Sequence, residues 1–396
     1  MTKRDFTNST EAVHAGTLSK RPHHTLSMSV AQTATFTFDD TADLRRYMSG
    51  EDPDPEREEY GRYGNPTVRE LERRVAHLER GDDAVAYSTG MAAITTVLLT
   101  LLKAGDHVVT FQDCYRRTRQ LITQTLANFG IEHTVIPSGD LEALERAIRP
   151  TTKLVFGESP TNPYLFCTDL RRMAELVKRH GRIRTVVDAT FATPVNCRPI
   201  ELGIDLVIHS ATKYLSGHND VLGGLVVGPD HLVSLLRETR HVVGNVLDPH
   251  AAWLIARGLK TLGLRVTRQN ATALAVARTL EQHSRIRRVF YPGLESHPSH
   301  AVAREQMNGG GGVVSFIVEG DKEAAARVVD GSRLGRIAPS FGGVETLIEQ
   351  PCNMSYFEFS AEELDRIGID PALIRLSVGI EETSDVVADI VAALAY

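Results

Sequence analysis

The sequence predicts an α/β protein in which a mainly parallel sheet is flanked by helices and followed by a smaller α+β domain. Short apolar segments alternate with helical periodicity over roughly 150 residues, a pattern typical of parallel sheets covered on both faces. After about residue 256 this alternation stops and a different pattern begins. The chain has 396 residues, which is more than one compact core normally serves, so two domains are expected.

Before the first strand, residues 1–62 show little helical periodicity and are predicted to form an N-terminal arm. Within this arm the segment 49–55 is acidic and rich in proline, which indicates an exposed, mobile loop. The large domain is predicted to span residues 63–256 and the C-terminal α+β domain residues 257–396. The large domain begins with a helix from Pro66, because apolar residues then recur at helical spacing and proline suits a first turn.

The remaining elements follow from short apolar segments and from helical periodicity. The predicted strands of the large domain are 84–87, 107–111, 133–136, 153–156, 185–187 and 204–208. The predicted helices between them are 92–102, 119–129 and 170–179. The smaller domain is predicted to contain helix 271–282, strand 313–318 and a closing helix 384–394. Ligands of such sheets bind where strand ends meet helix N-termini.

Composition and charge argue against several classes of protein. Lys plus Arg is 44 and Asp plus Glu is 50, so the net charge of −6 gives no basic excess for nucleic acid. The N-terminus lacks the apolar run of a signal peptide, and no run of about 18 apolar residues predicts a membrane span. The cysteines lie far apart and form no CxxC pair, so we expect neither disulfides nor a metal site, and a cytoplasmic location. They are Cys114, Cys167, Cys197 and Cys352.

Two charged residues stand at the ends of predicted buried strands. Lys213 follows strand 204–208, and a lysine is seldom placed there without a partner. Asp188 follows strand 185–187, 25 positions upstream of Lys213. An amine and a carboxylate at strand ends of one sheet can face a common ligand. A buried ion pair with only a structural role is an equal alternative from spacing alone.

Two strand-to-helix turns add further candidates. Segment 88–91 (STGM) offers backbone N–H groups for an anion, and Ser210 and Thr212 could add hydroxyl donors. Tyr115 could stack on a flat ring. Taken singly, segment 88–91 is more often an ordinary helix N-cap, and such a tyrosine is more often a partly buried residue with no ligand. Together with Lys213, these groups describe a site for pyridoxal phosphate, which needs an imine-forming lysine, a carboxylate, phosphate donors and a stacking aromatic.

Six segments resemble the Cys/Met-metabolism family of pyridoxal-phosphate enzymes, in order from about residue 12 to the C-terminus. They are 88–91 (STGM), 158–163 (ESPTNP), 188–194 (DATFATP), 209–214 (HSATKY), 340–346 (SFGGVET) and 375–381 (RLSVGIE). The plant-type cystathionine γ-synthase branch is the one most resembled, through segments 59–67, 113–116, 217–220 and 291–293. The resemblance implies a fold-type-I pyridoxal-phosphate transferase with a seven-stranded, mainly parallel sheet.

The resemblance also implies roles for the cofactor-binding residues. Lys213 would hold the cofactor covalently and later shuttle protons. Asp188 would pair with the pyridine nitrogen, and Tyr115 would stack on the ring and help protonate the leaving group. In the matching segments, five further residues would contact the cofactor, mainly at its phosphate. They are Gly90, Met91, Ser210, Thr212 and Thr190.

Further residues would bind the substrate or complete a neighbouring site. Arg375 would bind the substrate carboxylate as a bidentate fork, which a lysine could not replace. Tyr60 and Arg62 match residues that reach the phosphate of the adjacent subunit, which makes a dimer the minimal unit and a tetramer of two dimers the expected assembly. The other predicted substrate contacts are Ser340, Asn162 and Glu345, although acidic residues occur at position 345 in both synthases and lyases.

The activity implied by the resemblance is γ-substitution of an activated homoserine by cysteine, which forms cystathionine. The alternative is a γ-lyase that cleaves cystathionine, methionine, canavanine or a homoserine ester. Arg116 and Arg117 stand where many relatives carry small residues. They would bind a charged leaving group, or they would only form the solvated start of a helix, and the sequence favours neither alternative over the other. Methionine γ-lyases usually carry a cysteine two positions after the stacking tyrosine, where this chain has Arg117.

Overall fold

The computed structural model describes residues 8–17, 24–52, 54 and 57–395, and its larger sheet confirms the predicted fold class. Seven of the described strands form this sheet. They are β1 (Asp83–Tyr87), β2 (His107–Phe111), β3 (Glu132–Ile136), β4 (Thr152–Glu158), β5 (Arg184–Asp188), β6 (Leu206–Ser210) and β7 (Gly224–Gly228). Their order is β1-β7-β6-β5-β4-β2-β3. Strands β2 to β6 run parallel, and only β7 is antiparallel to its neighbours β1 and β6.

Helices cover both faces of the large sheet, which explains why most of its strands are apolar, although the edge strand β3 is largely not buried. Strands β1, β2 and β7 are buried at every position, as parallel sheets between two helical layers require. The helices up to the end of this region are α1 (Asn8–His14), α2 (Thr41–Met48), α3 (Pro66–Glu79), α4 (Gly90–Leu101), α5 (Arg116–Gln120), α6 (Leu141–Ala147), α7 (Leu170–Arg179), α8 (Thr193–Asn196), α9 (Asp230–Val243) and α10 (Pro249–Leu259).

A second, smaller sheet follows in the C-terminal part, as predicted. Its strands are β8 (Ile286–Phe290), β9 (Val313–Val318), β10 (Arg336–Ile337), β11 (Leu347–Glu349) and β12 (Leu373–Ser377). They lie in the order β10-β11-β12-β9-β8. The accompanying helices are α11 (Leu262–Glu281), α12 (His300–Gln306), α13 (Lys322–Gly331), α14 (Ala361–Arg366) and α15 (Thr383–Ala393). The domain boundary at 256 stays a prediction, and that position lies inside α10.

Helices α1 and α2 correct the expectation that the N-terminal segment lacks helical structure. Both helices are too short for periodicity to detect them, since α1 spans 7 residues and α2 spans 8. Asp40 caps α2 by accepting hydrogen bonds from two backbone N–H groups, and Asp43 forms ion pairs with Arg46 and Arg57. Helix α1 is held by its buried Glu11. These helices therefore depend on capping and ion pairs, which the apolar pattern does not record.

Other elements differ from prediction at their ends. Helix 119–129 is instead α5, then a π-helical turn (Leu121–Thr125) and a 3₁₀ turn (Leu126–Phe129). The strand predicted at 204–208 is instead β6 (Leu206–Ser210), so Ser210 is the last residue of the strand. In the predicted acidic loop, Asp52 pairs with Arg57 at 2.9 Å, and residues 53 and 55 lie outside the described residues. No helix in the described ranges has the length and apolar character needed to cross a membrane.

Candidate active site

Most of the predicted site residues surround one cavity of about 280 Å³ at the carboxyl ends of β4, β5 and β6. Segment 339–341 and β12 of the second sheet complete its wall. The predicted residues that line it are Gly90, Met91, Tyr115, Asn162, Asp188, Thr190, Ser210, Thr212, Lys213, Ser340 and Arg375. The topology explains this convergence, because carboxyl ends of parallel strands meet at one edge of a sheet. The roles of these residues stay predictions.

Lys213 projects into the cavity from the turn that follows β6. Its Nζ donates a hydrogen bond of 2.7 Å to Ser340 Oγ and lies 5.2 Å from the centre of the Phe341 ring. Burial, and after it the charge of Arg375, lower the pKa of Lys213 to about 8 against an opposing contribution from Glu349. The uncharged fraction of this amine near neutral pH is therefore far larger than that of an exposed lysine, as a nucleophile or base requires.

Asp188 ends β5 and is held by donors on one side of its carboxylate. Oδ1 accepts hydrogen bonds from the backbone N–H and the hydroxyl of Thr190. The Thr190 hydroxyl in turn accepts the N–H of Ser210 at 2.8 Å, which joins the ends of β5 and β6. Among the described residues Oδ2 receives no hydrogen bond, so one carboxylate oxygen remains for a cationic partner in the cavity.

Tyr115 is fixed by its backbone rather than by its hydroxyl. Its N–H donates a 2.7 Å hydrogen bond to Oε2 of Glu158 at the end of β4. Tyr115 is the N-cap of α5 but makes no side-chain capping bond. Tyr115 is 44% exposed in the single chain, so its ring is accessible for stacking on a planar ligand.

The N-terminus of α4 offers backbone donors to an anion. Thr89 caps the helix by accepting the N–H of Ala92 at 3.0 Å, whereas the N–H groups of Gly90 and Met91 find no acceptor among the described residues. A side chain at position 90 would not fit, because its Cβ would lie 2.9 Å from Ser210 Cβ. The absence of a side chain thus keeps the helix end open toward Ser210.

Arg375 lies on β12 with its guanidinium held on several sides. Nη1 donates to Asn162 Oδ1 at 3.0 Å, and Nη2 donates to the backbone oxygen of Ser340 at 3.2 Å. Glu349, the cross-strand neighbour of Arg375 on β11, lies 2.6 Å from Nη2. This fork, only 5% exposed, is preorganised for a carboxylate.

Ser340, which accepts the Lys213 hydrogen bond, has a backbone that few side-chain-bearing residues adopt. Its φ angle is +92°, in the region that favours glycine. Such a conformation costs of order 1–3 kcal/mol and persists where the surroundings impose it. The neighbouring Phe341 stacks on Phe191 at 4.0 Å between ring centres, and this packing helps to hold the segment in place.

Five predicted site residues do not line this cavity. Tyr60 and Arg62 lie elsewhere on the chain, where Arg62 donates to the backbone oxygen of His241 at 2.5 Å. Glu345 is exposed and accepts a hydrogen bond from Asn219. Arg116 contacts Glu358 and the backbone oxygen of Ser355, each at 2.6 Å. Arg117 donates to Gln120 at the exposed start of α5. Their proposed roles stay predictions.

Several cavity residues were missed from the sequence. They are Thr89, Ile94, Glu158, Phe191, Leu222, Pro339, Phe341 and Ser355. Glu158 had a detectable signal, because it stands at the end of an apolar strand, as Asp188 does. Leu222 and Ser355 had no such signal, since only the packing of distant segments brings them to the cavity. Glu349 does not line the cavity, but it forms an ion pair with Arg375, which does.

These residues fit pyridoxal phosphate, whose reactive groups each find a complement in the cavity. The amine of Lys213 suits its aldehyde, and the free oxygen of Asp188 suits its pyridine nitrogen. The open N-terminus of α4 suits its phosphate, and the exposed ring of Tyr115 suits its planar face. The space kept by Gly90, which a Cβ would fill, lies beside the donors that would hold the phosphate.

Comparison with known proteins agrees with this fit. A family model for Cys/Met metabolism PLP-dependent enzymes matches residues 9–395. The chain is 46% identical to cystathionine gamma-synthase 1, chloroplastic, of Nicotiana tabacum, over 97% of this chain and 71% of that protein. It is 41% identical to an L-methionine gamma-lyase of Fusobacterium nucleatum subsp. polymorphum, over 96% of both.

A solved structure shows the same fold. The crystal structure of metB from Corynebacterium glutamicum superposes with a TM-score of 0.92 at 36% identity, covering 99% of this chain and 98% of that one. The agreement extends over both sheets described above. The chain therefore belongs to the Cys/Met-metabolism family of pyridoxal-phosphate-dependent enzymes and has their fold-type-I architecture.

Proposed function

We propose that this enzyme catalyses γ-substitution, in which the thiol of cysteine replaces the leaving group of an activated homoserine to form cystathionine. A C–S bond forms at the γ-carbon, the γ C–O bond breaks, and the ester group leaves as its acid. The observation that carries this choice is the 46% identity to a cystathionine gamma-synthase over 97% of this chain, together with Arg117 at the position where methionine γ-lyases usually carry cysteine. Arg117 hydrogen-bonds to the neutral Gln120, so its charge remains available to an anionic leaving group.

Each of the main side chains of the cavity has a separate role in this reaction. When bound, pyridoxal phosphate withdraws electrons from the substrate and so acidifies its α- and β-carbon protons. Lys213 Nζ is the base that takes these protons, and Ser340 Oγ orients it through the 2.7 Å hydrogen bond. Arg375 holds the substrate carboxylate together with Asn162. The hydroxyl of Tyr115 donates a proton to the leaving group.

The alternative is γ-elimination, in which water rather than cysteine completes the reaction and a 2-oxo acid and ammonia are released. The similarity to an L-methionine gamma-lyase over 96% of both chains supports it. Both reactions share every step up to the loss of the γ group, so the binding residues named above serve either one. Arg117 at the position where methionine γ-lyases usually carry cysteine favours substitution.

Product identity tests the proposal. The pure enzyme is given O-phospho-, O-succinyl- or O-acetylhomoserine with and without cysteine, and cystathionine, methionine and canavanine alone. Cystathionine, homoserine and 2-oxobutyrate are then quantified by mass spectrometry. We expect cysteine to yield cystathionine and largely to suppress 2-oxobutyrate. Rapid breakdown of a single substrate with little cystathionine would instead establish a γ-lyase.

Replacing Arg117 by alanine tests whether it binds the leaving group. We expect kcat/KM for O-phosphohomoserine to fall about fivefold, which corresponds to roughly 1 kcal/mol for an exposed ion pair. The value for O-acetylhomoserine should change little, because its leaving group is not a dianion. Arg146→Ala, which removes another exposed arginine (69% exposed side chain), is the control. An equal loss with both esters would show that Arg117 only begins a solvated helix.

The pKa of Lys213 predicts how the apoenzyme takes up its cofactor. Only an uncharged amine attacks an aldehyde, and burial lowers the pKa of this amine to about 8. The rate of covalent incorporation should therefore rise with pH through a midpoint near 8 and level off above it. With an exposed lysine, the rate of incorporation would have its midpoint at about pH 10.4. The visible absorbance of the bound cofactor, followed in rapid mixing across this range, measures the midpoint.

We extend the proposal to the assembly and the location of the enzyme. Tyr60 and Arg62 do not line the cavity of their own chain, which fits a role at the phosphate of a neighbouring subunit and a tetramer built from two such dimers. The chain would then comprise an arm (1–62), a cofactor-binding domain (63–256) and a C-terminal domain (257–396). We propose that the enzyme acts in the cytoplasm on small amino acids.

Mixing two inactive variants tests the shared site. Arg62→Ala would lack the donor given to the neighbour, and Lys213→Ala would lack its own base. Hybrid dimers of the two contain one site with both residues intact, so some activity should return after subunit exchange, at most about a quarter of wild type for random mixing of the subunits. Subunit exchange is verified by mass spectrometry of the mixed oligomers. Fully exchanged hybrids without activity would contradict the shared-site arrangement.

A further inference from the structure

Two buried carboxyl groups lie side by side at the floor of the cavity. Glu158 ends β4 and Asp188 ends β5, and the two are paired directly across the parallel ladder. Glu158 is 4% exposed and Asp188 is 7% exposed. Adjacent strands are about 4.8 Å apart, and paired residues of a parallel ladder point to the same face. Two neighbouring carboxylates at a buried site do not both ionise readily, because each negative charge opposes the other.

The surroundings of the two groups are unequal. Burial raises the pKa of Asp188 as well, but two hydrogen bonds at Oδ1, both from Thr190, and the nearby His209 favour its charged form. Glu158 receives one hydrogen bond, from the Tyr115 N–H to Oε2. Its other oxygen, Oε1, is buried and has no hydrogen-bond partner. An ionised carboxylate with a buried, unpaired oxygen is costly, whereas a protonated one carries no net charge to desolvate.

The other titratable groups around Glu158 do not reverse this inequality. Burial, the charge of Asp188 and then that of Asp113 raise the pKa of Glu158 well above its usual range. The thiol of Cys114 and the phenol of Tyr356 also interact with it, and burial raises the pKa of both, so they stay neutral. Arg375 is the cation that lowers the pKa of Glu158, but it already lies 2.6 Å from Glu349.

We propose that Glu158 is a positioning residue that the enzyme holds as a neutral carboxylic acid. Its Oε2 accepts the backbone N–H of Tyr115 and so sets the start of α5, where no side-chain cap does. Its proton leaves Asp188 as the single negative charge on the floor of the cavity. The protonation of Glu158 is independent of which γ-reaction takes place. Its consequence for the cofactor rests on the role proposed for Asp188.

Infrared difference spectroscopy tests the proton directly. The holoenzyme at neutral pH should show a carbonyl band of a protonated carboxyl group, and this band should disappear in Glu158→Gln. Asp113→Asn is the matched control, because burial also raises the pKa of Asp113, and the Glu158 band should survive in that variant. Burial raises the pKa of Glu58 to about 7, so the wild-type spectrum is compared with that of Glu158→Gln, in which the contribution of Glu58 cancels. A difference spectrum without a protonated-carboxyl band would overturn the proposal.

Two variants test what the neutral acid does for the cofactor. Glutamine preserves the shape, the neutrality and the acceptor oxygen, so Glu158→Gln should keep the pH midpoint of the visible cofactor absorption. If Glu158 were ionised, glutamine would remove a charge beside Asp188 and shift that midpoint, which would contradict the proposal. Glu158→Ala removes the acceptor of the Tyr115 N–H and should weaken cofactor affinity about tenfold. Unchanged affinity would refute the positioning role.

These readouts separate the proposal from the proposed reaction. The infrared band and the absorption midpoint are measured without substrate, so they do not depend on the identity of the product. A γ-lyase with the predicted band would retain this inference and lose the proposed function. Should Glu158→Ala not fold, Glu158→Gln and the infrared measurement still decide the question.

Discussion

Replacing Lys213 by alanine is expected to lower turnover by at least about 10³-fold, the range that a positioned general base contributes. Among the described residues that line the cavity it is the only lysine, and its amine is aligned by Ser340 at 2.7 Å. The variant should still bind the cofactor, because Asp188, Tyr115 and the α4 N-terminus remain, but without the covalent link. Turnover on the preferred substrate and cofactor content after gel filtration measure the two effects.

Lys153→Ala is the matched control for this prediction. Lys153 lies on β4 of the same sheet but is exposed, so its loss should leave turnover unchanged. If Lys213→Ala kept turnover within tenfold of wild type with a normal fold, another group would be the base and the proposed mechanism would fail.

Replacing Arg375 by lysine is expected to raise KM about 10²-fold while changing kcat much less. The guanidinium is buried and donates to Asn162 and to the Ser340 backbone from two different nitrogens. A lysine has one nitrogen and cannot hold this fork and a substrate carboxylate together. Truncating a buried charged contact costs roughly 2–5 kcal/mol, and about 3 kcal/mol corresponds to the stated change.

Steady-state kinetics over a wide substrate range separate KM from kcat for this variant. Arg366→Lys is the control, since that arginine on α14 is largely exposed (75% of its side chain) and should be replaceable. If KM were unchanged in Arg375→Lys, the carboxylate would be bound elsewhere. A fall in kcat alone would mean that Arg375 contributes chiefly through the pKa of Lys213, which its charge lowers.

The sequence was most informative where a site residue directly ends an apolar strand. Asp188 and Lys213 could be placed at one edge of a parallel sheet because both follow buried strands, and the structure has them around the same cavity. Contacts that depend on a second sheet were not predictable in this way. Glu349 reaches Arg375 because β11 and β12 are neighbours, and no local pattern records that pairing.

Local irregularity limited the prediction of elements as well. Residues 119–129 have apolar spacing that suits one helix, yet the structure changes from α to π to 3₁₀ geometry over this stretch. The start at Arg116 depends on the anchoring of Tyr115 by Glu158, which is a contact 43 residues away along the chain. Tertiary contacts therefore override the periodic signal where the chain must present a site residue.

The backbone of Ser340 has a consequence for laboratory evolution of this enzyme. Glycine adopts a φ of +92° without the penalty that a serine side chain incurs there, so a screen for heat tolerance alone would reward Ser340→Gly. That exchange would also remove the hydroxyl oxygen that accepts the hydrogen bond from Lys213 Nζ. Thermostability and turnover are therefore opposed at this position, and selection must demand both to keep the serine.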